Sequence, residues 1–174
     1  MRKHSNIRLM NGIVSAVVLC FFIAHGLLGS TSALSPFETG LTWVVWIGMA
    51  CVGVHLILSM VTSWQQLNNP VSPPSARKKR HLVLKWTTGL LLLVAVVVHI
   101  GFMRSYGPAA TQSMASGAVA TIAVAATFAL HACVGGKSLL TDIFIDKKYL
   151  VVYRVVVCAF AAVCALATIA GVVL

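Results

Sequence analysis

The chain has 174 residues, 59% of them hydrophobic and 9% charged, with a mean hydropathy of +0.95; a soluble domain of that length has too much surface to hide so large an apolar share. The formal net charge is +10, from 13 Lys and Arg against 3 Asp and Glu. So few acids leave little material for hydrolytic or phosphoryl chemistry, and no P-loop, dinucleotide fingerprint or nucleophile elbow is present.

The apolar residues fall into five runs, each near the ~20 residues that cross a hydrocarbon core of about 30 Å. They cover approximately residues 10–29, 41–64, 82–103, 114–140 and 155–174. A lone segment in lipid must satisfy its own backbone hydrogen bonds, and the period-2 alternation of a barrel strand is absent, so all five are expected to be helices. The expectation is an all-α membrane protein with one domain and five transmembrane helices.

The first run follows Arg2 and Lys3 and is trailed by Ser30-Thr-Ser-Ala33, an arrangement that imitates a signal peptide; it is read here as a retained helix. An outer loop holds Pro36 and Glu38, and the second run ends before an inner loop with Asn68-Asn-Pro70 and Pro73-Pro74, residues that break helices. The basic stretch Ala76-Arg-Lys-Lys-Arg80 precedes the third run. Gly107-Pro108 separates the third run from the fourth, which turns polar after Val134. Asp142, Asp146, Lys147 and Lys148 lie before the fifth.

With odd helices running outward, twelve of the thirteen basic residues fall on the inner side and only Arg104 on the outer. The positive-inside rule then puts the N-terminus in the cytoplasm and the C-terminus outside; the expected location is the cell's inner membrane. This placement argues against nucleic acid as a partner, and the basic stretch reads as an orientation signal in contact with anionic lipid. The five cysteines all fall inside the runs and form no C-x-x-C pair, which excludes a zinc ribbon, a thioredoxin motif and a covalent haem attachment site; they are expected to be small core residues.

Six histidines occur. His4 and His81 lie in basic inner segments, whereas His25, His55, His99 and His131 fall one each on helices one to four. Ionisable side chains within a membrane are costly and point to function. At ~1.5 Å per residue, His25 lies about 22 Å and His99 about 25 Å from the inner side, and His55 and His131 each about 13 Å. Two level pairs result: His25 with His99, and His55 with His131. Facing histidines at one depth are what bis-imidazole haem ligation requires, and two stacked haems suit electron transfer. Zinc is the poorer reading, since the pairs are too far apart to share one ion and no carboxylate or thiolate pattern completes either. The stripe through His55 holds Gly48, Cys51 and Ser59. That through His131 holds Ala120, Thr127, Gly135 and Ser138 beside the bulkier Val124 and Phe128. Small residues admit a flat macrocycle, and equally close helix packing.

The layout resembles the di-haem cytochrome b anchor of succinate dehydrogenases and fumarate reductases, the succinate:quinone oxidoreductases. The likeness rests on five helices with a histidine on each of the first four. Its local motifs are Thr88-Gly89 within Leu84-Lys-Trp-Thr-Thr-Gly89, ten residues ahead of His99, the segment His131-Ala-Cys-Val-Gly-Gly-Lys-Ser138, and Arg8 seventeen before His25. The resemblance implies that His25 and His99 ligate a distal haem b iron and His55 and His131 a proximal one. Arg8, Lys85 and Lys137 are then expected as propionate partners, Lys85 replacing an arginine often found where Trp86 stands. A flavoprotein and an iron–sulfur subunit would dock on the cytoplasmic face, exchanging electrons with a quinone, expected to be menaquinone. Some members carry a glutamate where this chain has Ala129, so Glu38 is the acid left to accept protons from a quinol. Rival readings are a di-haem cytochrome of a hydrogenase, a formate dehydrogenase or a stand-alone carrier, and a cofactor-free transporter using histidines as proton sites.

Overall fold

The computed structural model describes residues 6–34, 42–68, 73–106 and 115–173. Five helices account for nearly all of them: α1 (Asn6–Leu34), α2 (Thr42–Leu67), α3 (Ala76–Tyr106), α4 (Ala115–Asp142) and α5 (Leu150–Val173), with a short 3₁₀ turn at Lys147–Tyr149 before α5. All five spans are long and apolar enough to cross a bilayer, which is the architecture of a multi-pass membrane protein.

Each helix overruns the apolar segment that marks it in the sequence, because hydropathy ends at the interface while backbone hydrogen bonding does not. The difference is largest at α3, where the expected inner loop ran to Arg80. The helix instead begins at Ala76 and carries the basic stretch in its first turn. Ser75 starts it: its side-chain oxygen accepts from the Lys78 amide at 3.3 Å and its carbonyl from the Lys79 amide at 3.0 Å, as an N-cap does. The polar end of α4 stays helical through Gly135 and Gly136 to Asp142. Gly136 is needed there, because a Cβ would stand 2.5 Å from the Tyr153 ring of α5. A tight turn follows, with Phe144 in the left-handed region at φ 62°. The Asp146 carboxylate then caps the 3₁₀ turn by accepting from the Lys148 amide at 2.9 Å. As a result α5 starts at Leu150, ahead of the expected position 155.

The bundle is apolar outside and small or polar inside, the reverse of a soluble protein. Val151 is 69% exposed and Leu166 65%, while Asn11, Thr62, Ser63 and Thr88 are buried. Alanine, glycine and cysteine dominate the buried faces of α4 and α5, as expected where close backbone approach rather than the hydrophobic effect holds helices together. Of the five cysteines only Cys164 is buried, so the expectation of five core residues is corrected: in lipid an exposed thiol is as well placed as any small apolar side chain. Cys133 Sγ lies 3.7 Å from Cys158 Sγ, beyond the ~2.05 Å of a disulfide.

The packing order positions the site. α1 packs on α2, α3 on α4, and α1 on α4, while α5 leans on the outside of α1 and α4. α2 and α3, consecutive in the chain, scarcely touch. The first four helices therefore enclose a space open along the α2–α3 side.

Candidate functional site: two histidine pairs within the bundle

A cavity of about 260 Å³ occupies the inner part of that space, larger than the ~150 Å³ void that takes up a benzene ring. His55 of α2 and His131 of α4 both border it, with Ser59, Gly89, Phe22 and Phe128. The two imidazoles are close enough to interact electrostatically, and so are His99 and His25. His55 and His131 thus share one cavity, while His25 and His99 are within electrostatic reach of one another. The second pair does not border this cavity, and His25 is exposed at the bundle surface.

The two levels can be measured along the helices. His55 meets Ser15 of α1, ten residues before His25, and His99 meets Thr121 of α4, ten before His131. Ten residues of α-helix rise about 15 Å, so on both sides of the bundle the pairs sit one above the other by roughly that distance. Phe22 and Phe128 stack between the levels, ring centroids 5.0 Å apart and planes 11° from parallel. Each is three residues from a histidine, Phe22 from His25 and Phe128 from His131. Phe160 closes the stack edge-on at 5.9 Å.

Hydroxyl groups face three of the rings. A Ser or Thr hydroxyl has one proton to give and can accept in addition. Ser15 Oγ gives its proton to the Asn11 carbonyl at 2.6 Å and stands 3.0 Å from His55 Nδ1. Thr88 Oγ1 donates to the Leu84 carbonyl at 2.9 Å and stands 3.2 Å from His131 Nδ1. Thr121 Oγ1 donates to the Gly117 carbonyl at 3.0 Å and stands 3.4 Å from His99 Nδ1. With the hydroxyl proton committed, the contacts at His131 and His99 are imidazole N–H groups donating to oxygen, whereas His55 has a hydroxyl at each ring nitrogen, Ser15 Oγ at Nδ1 and Ser59 Oγ 3.5 Å from Nε2, and its tautomer is not set in this way. In a neutral imidazole whose Nδ1 is the donor, Nε2 carries the lone pair. This is the arrangement that orients a histidine as a metal ligand.

Gly89 brings α3 against the His131 ring. A Cβ on Gly89 would stand 3.0 Å from His131 Cε1, so any side chain would push the imidazole aside. The Thr88-Gly89 pair thus serves His131 on the neighbouring helix. Among the described residues no three His, Cys, Asp or Glu side chains cluster to cage a metal ion.

Arg8 and Lys85, two of the cations expected near propionates, border the inner end of the cavity, whereas Lys137 is exposed and does not. Lys85 Nζ donates to Ser138 Oγ at 3.3 Å and is within electrostatic reach of Asp142 and Arg8. Trp86 Nε1 donates to Ser63 Oγ at 3.0 Å, the bridge from α3 to α2. Glu38 lies outside the described residues. Sequence reading missed Ser15, Thr121, Asn11 and Asp142. The first two had a signal, since each hydroxyl lies ten residues before the histidine of its own helix. Comparison with protein-family models, curated proteins and solved structures finds no match.

Proposed function

We propose that this protein is the di-haem cytochrome b anchor of a succinate:quinone oxidoreductase. In that role it carries electrons between a membrane quinone, menaquinone by preference, and flavoprotein and iron–sulfur subunits docked on the cytoplasmic face. The observation that carries the haem reading is the pair of histidines, His99 and His131, whose Nδ1 atoms face hydroxyls already donating to backbone carbonyls, leaving Nε2 as an electron-pair donor. A transporter that protonates its histidines gains nothing from two such locked tautomers, and a single-ion zinc site does not suit pairs about 15 Å apart.

His55 and His131 would hold the inner haem, with Gly89 giving the His131 ring room, Thr88 fixing that imidazole and Ser15 bonding the His55 ring. His25 and His99 would hold the outer one. Bis-imidazole haem iron supplies one-electron transfer between its ferric and ferrous states. Arg8 and Lys85 offset carboxylate charge at the inner end of the cavity, where Asp142 already balances part of theirs. The Phe22–Phe128 stack keeps the two sites apart and excludes water between them. The basic residues at the inner helix ends orient the chain with its N-terminus in the cytoplasm; the membrane is the cell's inner one.

The test is a reduced-minus-oxidised spectrum of the purified protein, with a pyridine haemochrome count. Two b haems per chain are expected, with low-spin bis-histidine signatures in electron paramagnetic resonance. A preparation without b-type bands sinks the proposal. Co-purification of a flavoprotein and an iron–sulfur protein with succinate–quinone activity separates the succinate family from other cytochromes b.

A further inference from the structure

We propose that the groove between α2 and α3 binds a phospholipid with an anionic head group. Its walls are Leu67 of α2 and Leu82, Val83, Trp86 and Thr87 of α3, with Lys79 at the mouth. Leu67 is 46% and Val83 64% exposed, because these two helices do not pack on one another. In a bilayer such a channel between two spans is filled by an acyl chain. The polar end is equally specified. Arg77, Lys78, Lys79 and Arg80 are all exposed on the first turn of α3, and no Asp or Glu occurs between Glu38 and Asp142. The chain thus provides four cations at this surface and no acid on either helix that forms the groove. The complementary charge must come from outside, and a phosphate on a lipid whose chain lies in the groove reaches Lys79 directly. Basic clusters at the end of a span attract anionic lipid in this way.

Trp86 joins the groove to the interior, since its indole borders both the groove and the histidine cavity and its Nε1 is tied to Ser63. A bound lipid therefore backs the wall of the inner site on the side where the bundle is open. The inference does not depend on what the histidines hold.

The experiment titrates purified protein in neutral detergent with phosphatidylglycerol or phosphatidylcholine carrying brominated acyl chains, which quench nearby indoles. Trp43, Trp46, Trp64 and Trp86 all emit, so the Trp86 share is taken as the difference from Trp86→Phe. It is expected to be quenched at about fivefold lower mole fraction by the anionic lipid, the factor one basic side chain contributes near an anionic surface. The preference should fall in Lys79→Gln and vanish at high salt and when Arg77, Lys78, Lys79 and Arg80 are all replaced by Gln, while Arg104→Gln, at the other end of α3, retains it. Native mass spectrometry of lipid retention makes the same comparison without a tryptophan change. Equal quenching by the two lipids, or a preference unchanged in Lys79→Gln and in the fourfold Gln variant, overturns the proposal.

Discussion

Thr88→Val isolates the contribution of one hydroxyl. Valine keeps the branched shape at a position only 2% exposed, so packing is nearly unchanged and no cavity opens. The Leu84 carbonyl loses an extra donor but keeps its place in the helix. What is lost is the acceptor 3.2 Å from His131 Nδ1. Removing an outer partner of a ligating histidine lowers metal affinity by roughly 10- to 100-fold, or about 1.4 to 2.7 kcal/mol. The lower end is expected, because a hydroxyl is a neutral acceptor and polarises the ring less than a carboxylate would. The hydrogen bond makes Nε2 the better donor and so favours ferric iron; losing it raises the midpoint potential of the inner haem. If a tenfold loss falls wholly on the ferric form, the rise is about 59 mV. A redox titration followed at the b-type absorbance, with Thr88→Ser as the control that restores the hydroxyl, measures it. The reasoning fails if Thr88→Val and Thr88→Ser behave alike, or if the shifted haem is the one lost in His99→Ala.

The remaining predictions use the same spectra. His25→Ala or His99→Ala should remove one haem component, and His55→Ala or His131→Ala the other; a component shared by His25→Ala and His55→Ala would dissolve the pairing. Gly89→Ala brings a methyl to 3.0 Å from His131 Cε1 and should reduce inner haem content severalfold with the outer haem retained; equal loss of both would point to a folding defect instead. Lys85→Gln should lower the inner-haem potential by on the order of 70 mV, since a unit charge ~10 Å away at an effective dielectric of ~20 is worth about 1.7 kcal/mol. Lys137→Gln, outside the cavity, should leave that potential unchanged.

The five spans and the division of the histidines into two levels were legible in the sequence because lipid imposes a fixed segment length and helix rise turns residue counts into depth. Helix ends were less so: Ser75 caps α3 well before its apolar run begins, and a polar tail such as Gly135–Asp142 stays helical because α5 packs on it. Depth counting also says nothing about azimuth. It did not reveal that α2 and α3 stand apart, that Phe22 and Phe128 stack between the levels, or that Lys137 turns away from the cavity while Lys85 borders it. Thr88-Gly89 was noticed for its distance to His99, yet its contact is His131, because a helix face meets the neighbouring helix and not its own next turns.

The hydroxyl contacts obey a register that makes one more position testable. Ser15 precedes His25 by ten residues, Thr121 precedes His131 by ten and Thr88 precedes His99 by eleven; each serves the histidine of its antiparallel neighbour. On α2 the position ten before His55 is Val45. Across α1 and α2 the contacts Ser15 with His55 and Asn11 with Ser59 run antiparallel, so that counting on along both helices brings His25 opposite Val45. Among the described residues no hydroxyl bonds the His25 ring, and the register gives the reason: valine stands where the other helices carry Ser or Thr. Of the outer pair, His99 has a hydroxyl at Nδ1 and His25 has none among the described residues. Val45→Thr preserves the branched shape and supplies an acceptor, the threonine proton passing to a carbonyl one turn back as it does from Thr88 and Thr121. Fixing the tautomer and orientation of a ligating ring should slow loss of the outer haem by about tenfold, the smaller end of the range for such partners. Haem transfer to an excess of apomyoglobin, followed at the outer-haem wavelength, reads the rate. An outer haem that leaves Val45→Thr as fast as the native protein, or an inner haem slowed instead, would break the register that links the four helices.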